Sequence, residues 1–154
     1  MSENVICRKT QEDLIKKFSS PPLFSIVIPT FNESENIIKL IHEIKASIIE
    51  DGSYELVIVD DNSPDGTVDL IIKDFTNSND FKAYKIRDTI GIQSHQYYLI
   101  YPERDSKFYI KVIKRREKTG LISALYEGFK SSIGQYILVM DADFSHSPSF
   151  IRQM

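Results

Sequence analysis

The chain has 154 residues, of which 42% are hydrophobic and 27% charged, enough length and apolar content for one domain with a real core. A net charge of -3 and a pI near 5.6 exclude attachment to nucleic acid by bulk charge, so any phosphate site must be local. Cys7 is the only cysteine, which excludes an intramolecular disulfide and fits a reducing or cytosol-facing compartment. Residues 1–20 are polar and carry Arg8, Lys9, Lys16 and Lys17 without the apolar core of a secretory signal. The longest apolar runs are strand-sized, well short of the roughly 20 residues that cross a bilayer, so membrane contact is expected to be peripheral.

In chain order, the polar start allows a short helix at 11–18. FSIVIP at 24–29 is a continuous apolar run ended by Pro29, the pattern of a buried strand. Asn32 offers an N-cap with Glu35 three residues on, and Ile37, Ile41, Ile44 and Ile48 recur at helical spacing, which predicts a helix over 34–49. Gly52 breaks the pattern. YELVIV at 54–59 reads as a second buried strand, and the turn-rich DDNSPDG at 60–66 leads into a helix over 67–75. Between 76 and 107 the pattern lapses, and the segment reads as an insertion in which a strand at 97–101 stays an open question. A strand at 110–113, a helix at 121–132 and a strand at 136–140 follow. This alternation implies an α/β fold with a largely parallel sheet and helices on both faces.

Ligands of such sheets bind beyond the carboxyl ends of the strands. Three of those ends read Pro29-Thr30-Phe31-Asn32-Glu33, Asp60-Asp61-Asn62-Ser63-Pro64-Asp65-Gly66 and Asp141-Ala142-Asp143-Phe144-Ser145-His146. Clustered carboxylates repel unless a cation is shared, so a metal or a recognition role is indicated. Asp65-Gly66 fits turn and N-cap chemistry equally well. At i and i+2, Asp141 and Asp143 would leave a strand on the same side and reach one hard cation, Mg²⁺ or Mn²⁺, bridging to a diphosphate.

Four blocks, IVIPTFNESENI (26–37), ELVIVDDNSPDGT (55–67), KTGLISALYEGF (118–129) and YILVMDADFSHSP (136–148), together resemble the family-2 glycosyltransferases, and the second and fourth are similar to members that mannosylate dolichyl phosphate. The resemblance implies a GT-A fold over 21–154, incomplete at its C-terminal side, behind a polar extension at 1–20. It implies a GDP-mannose donor, a dolichyl or other polyprenyl phosphate acceptor, inverting transfer, and a peripheral place on the cytosolic face of the endoplasmic reticulum, or the inner plasma-membrane face in a prokaryote. Membrane-anchoring subunits or a separate acceptor-side polypeptide are possible partners, and nucleic acid is not. By position, Pro29, Thr30, Asn32 and Glu33 line the nucleotide pocket, Asp60 contacts the base or ribose with Asp61 beside it, and Asp141, Asp143 and Ser145 hold the metal. Asp143, Arg115 and Lys118 are the residues expected to act on the leaving diphosphate; the bland alternative for the two cations is a solvated charged run at 114–118. His146 reads as structural.

Three departures from the family pattern stand out: the sequence stops at Met154, eleven residues after Asp143; the segment 76–107 is extra; and Ile122 stands where a glycine is usual. The first leaves open a fragment that only binds nucleotide sugar or scaffolds a partner, and a different sugar nucleotide is also open. A nicotinamide-binding Rossmann domain is excluded because the turn after the first strand has no glycine. A haloacid-dehalogenase phosphatase is excluded because its Asp motif belongs on the first strand.

Overall fold

The computed structural model describes residues 5–7, 21–48, 52–77, 80–87, 95–102 and 107–153. Strands β1 (Val5–Cys7), β2 (Phe24–Thr30), β3 (Tyr54–Asp60), β4 (Phe81–Arg87), β5 (Gln96–Pro102), β6 (Phe108–Lys114) and β7 (Tyr136–Val139) form one sheet in the order β1-β4-β5-β6-β3-β2-β7. Helices α1 (Ile37–Ser47), α2 (Thr67–Asn77) and α3 (Leu121–Ser131) flank it, and a 3-10 helix, Pro148–Gln153, follows β7. Every pairing is parallel except those of β5, which runs antiparallel to both β4 and β6.

Strand β3 lies inside the sheet, between β6 and β2, and every one of its residues is buried. Because side chains alternate across a strand, residue parity sorts the core into two faces. Ile26, Ile28, Leu56, Ile58, Ile110 and Val112 pack under α1 and α2, whereas Val27, Val57, Val59 and Ile113 pack under Ala124 of α3. On α1, Ile37, Leu40, Ile41 and Ile44 are all fully buried, each stabilising the fold by about 1.5–3 kcal/mol. An 11-residue helix would be marginal without that face. Helix α3 sits close because of Gly128: a Cβ there would lie 2.4 Å from Val27 Cγ1.

The same parity puts polar residues under the C-terminal end of α3. Glu55 is fully buried and accepts hydrogen bonds from Ser25 Oγ at 2.5 Å, Ile133 N at 2.6 Å, Tyr109 OH at 2.8 Å and Lys111 Nζ at 3.3 Å. Lys111 also donates to the Ser131 carbonyl, and Gly134 N donates to Ser25 Oγ at 2.8 Å. This network ties the turn between α3 and β7 to three strands. Burial, reinforced by the Glu55 carboxylate, pushes the Tyr109 hydroxyl pKa well above its ordinary value.

The expected strands at 24–29, 54–59, 110–113 and 136–140 and the helices at 67–75 and 121–132 appear within a few residues of their bounds. Three differences are informative. The helix expected over 34–49 starts at Ile37, because Asn32 takes a left-handed φ of 60° and the Glu33 carbonyl accepts from Asn36 N and Ile37 N in a separate turn. Asn32 and Glu35 therefore form no capping box. The segment 76–107 contains two sheet strands, β4 and β5, and the polar start contributes β1 beside β4, with Val5 opposite Lys85. The helix expected at 11–18 lies outside the described residues.

Candidate functional site

The parallel strands bring their carboxyl ends to one edge of the sheet. Thr30 pairs with Asp60 and Asp60 with Lys114, while β7 runs beside β2 with Val139 opposite Val27. The strand order reverses at β2, with β3 and β6 on one side and β7 on the other. Such a reversal is where ligands of open α/β sheets bind. Asp60 and the pair Asp141 and Asp143 thus emerge from the same edge, on opposite sides of the β2 loop.

Hydrogen bonds stitch the loops after β2 and β3 together. Asp61 N donates to the Thr30 carbonyl at 2.9 Å, Asn32 N to Ser63 Oγ at 2.9 Å, Glu33 N to Thr67 Oγ1 at 3.1 Å and Ser34 N to Asp65 Oδ2 at 3.0 Å. Asp65 also accepts from Thr67 N at 3.0 Å and Thr67 Oγ1 at 2.6 Å, so it caps α2 and joins the loops at once. Slight burial raises its pKa, but the bonds from Thr67 and Ser34 outweigh that and lower it to about 2. Asn32, Asn62 and Phe144 all have φ near +60°, a conformation asparagine tolerates and phenylalanine adopts only under constraint. Phe144 is held by packing against the α1 core and by Lys39 Nζ, 4.9 Å from its ring centroid.

The two adjacent aspartates separate by parity. Asp60 turns to the α1 face and is fully buried; its carboxylate accepts from Thr30 Oγ1 at 3.1 Å, Ser63 N at 2.9 Å and Ser63 Oγ at 2.5 Å. Asp61 turns to the α3 face, where it accepts from Arg115 Nη1 at 3.0 Å, Thr119 N at 2.9 Å and Gly120 N at 2.8 Å. Arg115 is itself buried and also donates to Thr119 Oγ1, Ser123 Oγ and the Gly120 carbonyl. Its Nε is a buried nitrogen without an acceptor. The pair forms a bracket that fixes the entry to α3, where Gly120 takes a φ of 93° that a residue with a Cβ adopts only with strain.

Beside this bracket lies a groove of about 200 Å³ lined by Pro29, Thr30, Phe31, Asp61, Lys118, Gly120, Leu121 and Ala124. Lys118 Nζ stands 3.5 Å from the centroid of the Phe31 ring. The lining of this groove includes Pro29, Thr30 and Asp61. Asp60, Asn32 and Glu33 lie outside that lining: the Asp60 carboxylate is occupied inside the chain, Asn32 N donates to Ser63 Oγ, and Glu33 accepts from Asn36 Nδ2 at 3.1 Å. Ile122 is 86% exposed and outside the groove lining. Phe31, Gly120 and Ala124 were not singled out as pocket residues; an aromatic in a polar strand-end loop and a glycine ahead of a helix were the available signals.

Strand β7 ends at Val139, so Asp141 and Asp143 stand in a turn rather than on a strand. Their alternation survives: Ala142 is buried and both aspartates are exposed. Ser145 donates to Asp143 Oδ1 through its backbone N at 2.9 Å and through its hydroxyl. That hydroxyl bond and then the backbone bond hold the Asp143 carboxyl below its ordinary pKa, with a smaller contribution from His146. Among the described residues, no group of three His, Cys, Asp or Glu side chains gathers around one point. Two exposed carboxylates fit a Mg²⁺ or Mn²⁺ ion whose remaining ligands are water and substrate phosphate, and do not fit an all-protein cage.

A largely parallel sheet, helices on both faces, and a groove beside acidic loops at the carboxyl edge define a ligand-binding α/β domain. The glycosyl transferase family 2 model matches residues 25–91 and 100–154, and the chain belongs to that family. It is 34% identical over 130 residues to a dolichol-phosphate mannosyltransferase of Pyrococcus furiosus, covering 84% of this chain and 28% of the relative. With the dolichol-phosphate mannosyltransferase of Saccharomyces cerevisiae it shares 28% identity over 133 residues, covering 85% and 39%. The chain thus spans well under half the length of these relatives. Among solved structures, it resembles the mannosyltransferase PcManGT from Pyrobaculum calidifontis in complex with GDP-Man and Mn2+, with a TM-score of 0.55, 19% identity, and coverage of 81% of this chain and 28% of that one. S. aureus TarS 1-349 gives a TM-score of 0.53 at 21% identity, covering 78% and 27%. These likenesses establish the GT-A fold.

Proposed function

We propose that this chain binds GDP-mannose and provides the donor side of mannosyl transfer to a dolichyl or other polyprenyl phosphate. The observation that carries the reading is one edge of the sheet holding both a groove with an aromatic wall, at Phe31, and an exposed acidic pair, at Asp141 and Asp143. Its relatives' names supply the sugar and the acceptor class. The guanosine lies in the groove against Phe31, with Asp61 at its side. The diphosphate extends toward Asp141 and Asp143.

In the reaction, an acceptor phosphate oxygen forms a bond to the anomeric carbon of mannose as the bond from that carbon to the diphosphate oxygen breaks, inverting the carbon and releasing GDP. The acceptor is already an anion, so no general base is required. The chain's work is to hold the two reactants in line and to balance charge. Asp141 and Asp143 would hold Mg²⁺ or Mn²⁺, which when bound offsets the charge growing on the departing diphosphate. Ser145 positions Asp143 for that role. Lys118 adds a cation beside the groove, and Arg115 acts from below by fixing Asp61 and the start of α3. No helix among the described residues is long and apolar enough to cross a membrane; peripheral attachment at the surface that carries the acceptor is part of the proposal.

Calorimetry with GDP-mannose, with Mn²⁺ and then with excess chelator, tests the reading. Saturable binding that weakens at least tenfold with chelator supports it. No saturable binding in either condition refutes it.

A further inference from the structure

Lys118 is exposed, yet its ammonium rests on an aromatic ring. Lys118 comes from the loop before α3 and Phe31 from the loop after β2, and both line the same groove. A planar base entering that groove needs the ring surface the ammonium covers. From this we infer that Lys118 makes the groove selective for phosphorylated nucleosides, a role that deepens the proposed function and rests on it.

An ammonium over an aromatic face is held by the ring quadrupole. A nucleoside without phosphate must displace Lys118 from Phe31 and offers the released cation nothing in return. A nucleoside diphosphate displaces it too, but brings an anion that receives the ammonium as a charge-assisted contact. The same side chain therefore weakens binding of the bare nucleoside and strengthens binding of the diphosphate. No carboxylate among the described residues forms an ion pair with Lys118, so the side chain does not first have to break one.

The size of the effect is set by how often Phe31 is uncovered. Apparent affinity falls by the fraction of molecules in the open state. A cation–π contact at an exposed site corresponds to roughly a two- to fivefold change in that fraction. The gain from a new charge-assisted contact with phosphate is larger, on the order of tenfold or more. Because both ligands must uncover Phe31, that cost cancels between them, and the selectivity for GDP over guanosine equals the gain from the phosphate contact.

The test is a titration of the 154-residue chain with guanosine and with GDP at fixed Mg²⁺, followed by ligand NMR, which reads millimolar affinities. In Lys118→Ala, guanosine should bind about two- to fivefold more tightly than in the unmodified chain, and GDP about two- to fivefold less tightly, because the roughly tenfold loss of the phosphate contact is partly offset by the uncovered ring. On a Phe31→Leu background, the Lys118→Ala change should give no gain for guanosine, because no aromatic face remains to be uncovered. Guanosine affinity that is unchanged or reduced in Lys118→Ala overturns the inference while leaving the groove reading intact. A chain that binds neither guanosine nor GDP refutes the groove reading, and the inference falls with it.

Discussion

Replacing Asp61 with alanine removes the acceptor for Arg115 Nη1 and for two backbone amides, those of Thr119 and Gly120. The carboxylate and guanidinium side chains are only 6% and 7% exposed. Stranding one charge of a buried pair typically costs about 3–5 kcal/mol. Arg115 keeps Thr119 Oγ1, Ser123 Oγ and the Gly120 carbonyl as acceptors, and the freed amides lie near solvent, so the lower end, about 3 kcal/mol, is expected. For a chain of this length that is a fall in Tm of roughly 6–12 °C. Thermal and urea unfolding by circular dichroism would read it. Removing both charges, in Asp61→Ala with Arg115→Leu, should restore part of the loss, because no unpaired guanidinium remains. An Asp61→Ala variant within about 0.5 kcal/mol of the unmodified chain would show that the bracket does not hold the entry to α3. If that stable variant lost GDP binding, Asp61 would be a ligand contact alone.

Further outcomes follow from the same structure. Glu55→Gln should destabilise by about 3–5 kcal/mol, and adding Lys111→Met should recover much of that in urea unfolding; equal stability of the single variant would contradict the buried network. Gly128→Ala should cost about 1–3 kcal/mol by pushing α3 off Val27, read as a lower urea midpoint at unchanged slope, and a neutral change would mean the helix shifts freely. Asp65 has a folded pKa lowered to about 2, so its contribution is complete above the unfolded value of about 3.9 and is lost as pH falls toward 2. Because the side chain is largely exposed, solvent screening keeps this under about 1 kcal/mol, and Asp65→Asn should flatten the stability profile between those pH values. In the Asp143→Ala variant, GDP-mannose affinity should no longer respond to chelator, and a response of unmodified size would remove the metal role from that residue.

The parallel core was legible because β2, β3 and β6 are apolar runs between turn signals, and because Ile37, Ile41 and Ile44 repeat at helical spacing. Strand β4 was not, and β5 was legible only as an open possibility at 97–101. FKAYKIR and QYYLIYP mix lysine and tyrosine into the alternation, and β5 runs antiparallel, outside the strand–helix–strand rhythm that organised the rest. Strand β1 is three residues of a polar segment, secured by pairing with a distant strand, which local pattern cannot show. The acidic strand ends were visible as a cluster, but which of Asp60 and Asp61 faces the groove depends on which side of the sheet α3 covers. The early left-handed turn at Asn32 was hidden because asparagine also suits an N-cap, and only the bond to Ser63 from the neighbouring strand end separates the two roles.

The central claim is that a nucleoside diphosphate sugar occupies the carboxyl edge of the sheet between Phe31, Gly120 and the Asp141–Asp143 turn. Amide chemical-shift mapping of the ¹⁵N-labelled chain with GDP-mannose and Mg²⁺ tests it most directly. Saturable shifts should concentrate at Phe31, Asp61, Thr119, Gly120 and Asp143. Shifts confined to the opposite edge, around Ser25, Glu55 and Gly134, or no saturable shifts at all, would contradict it.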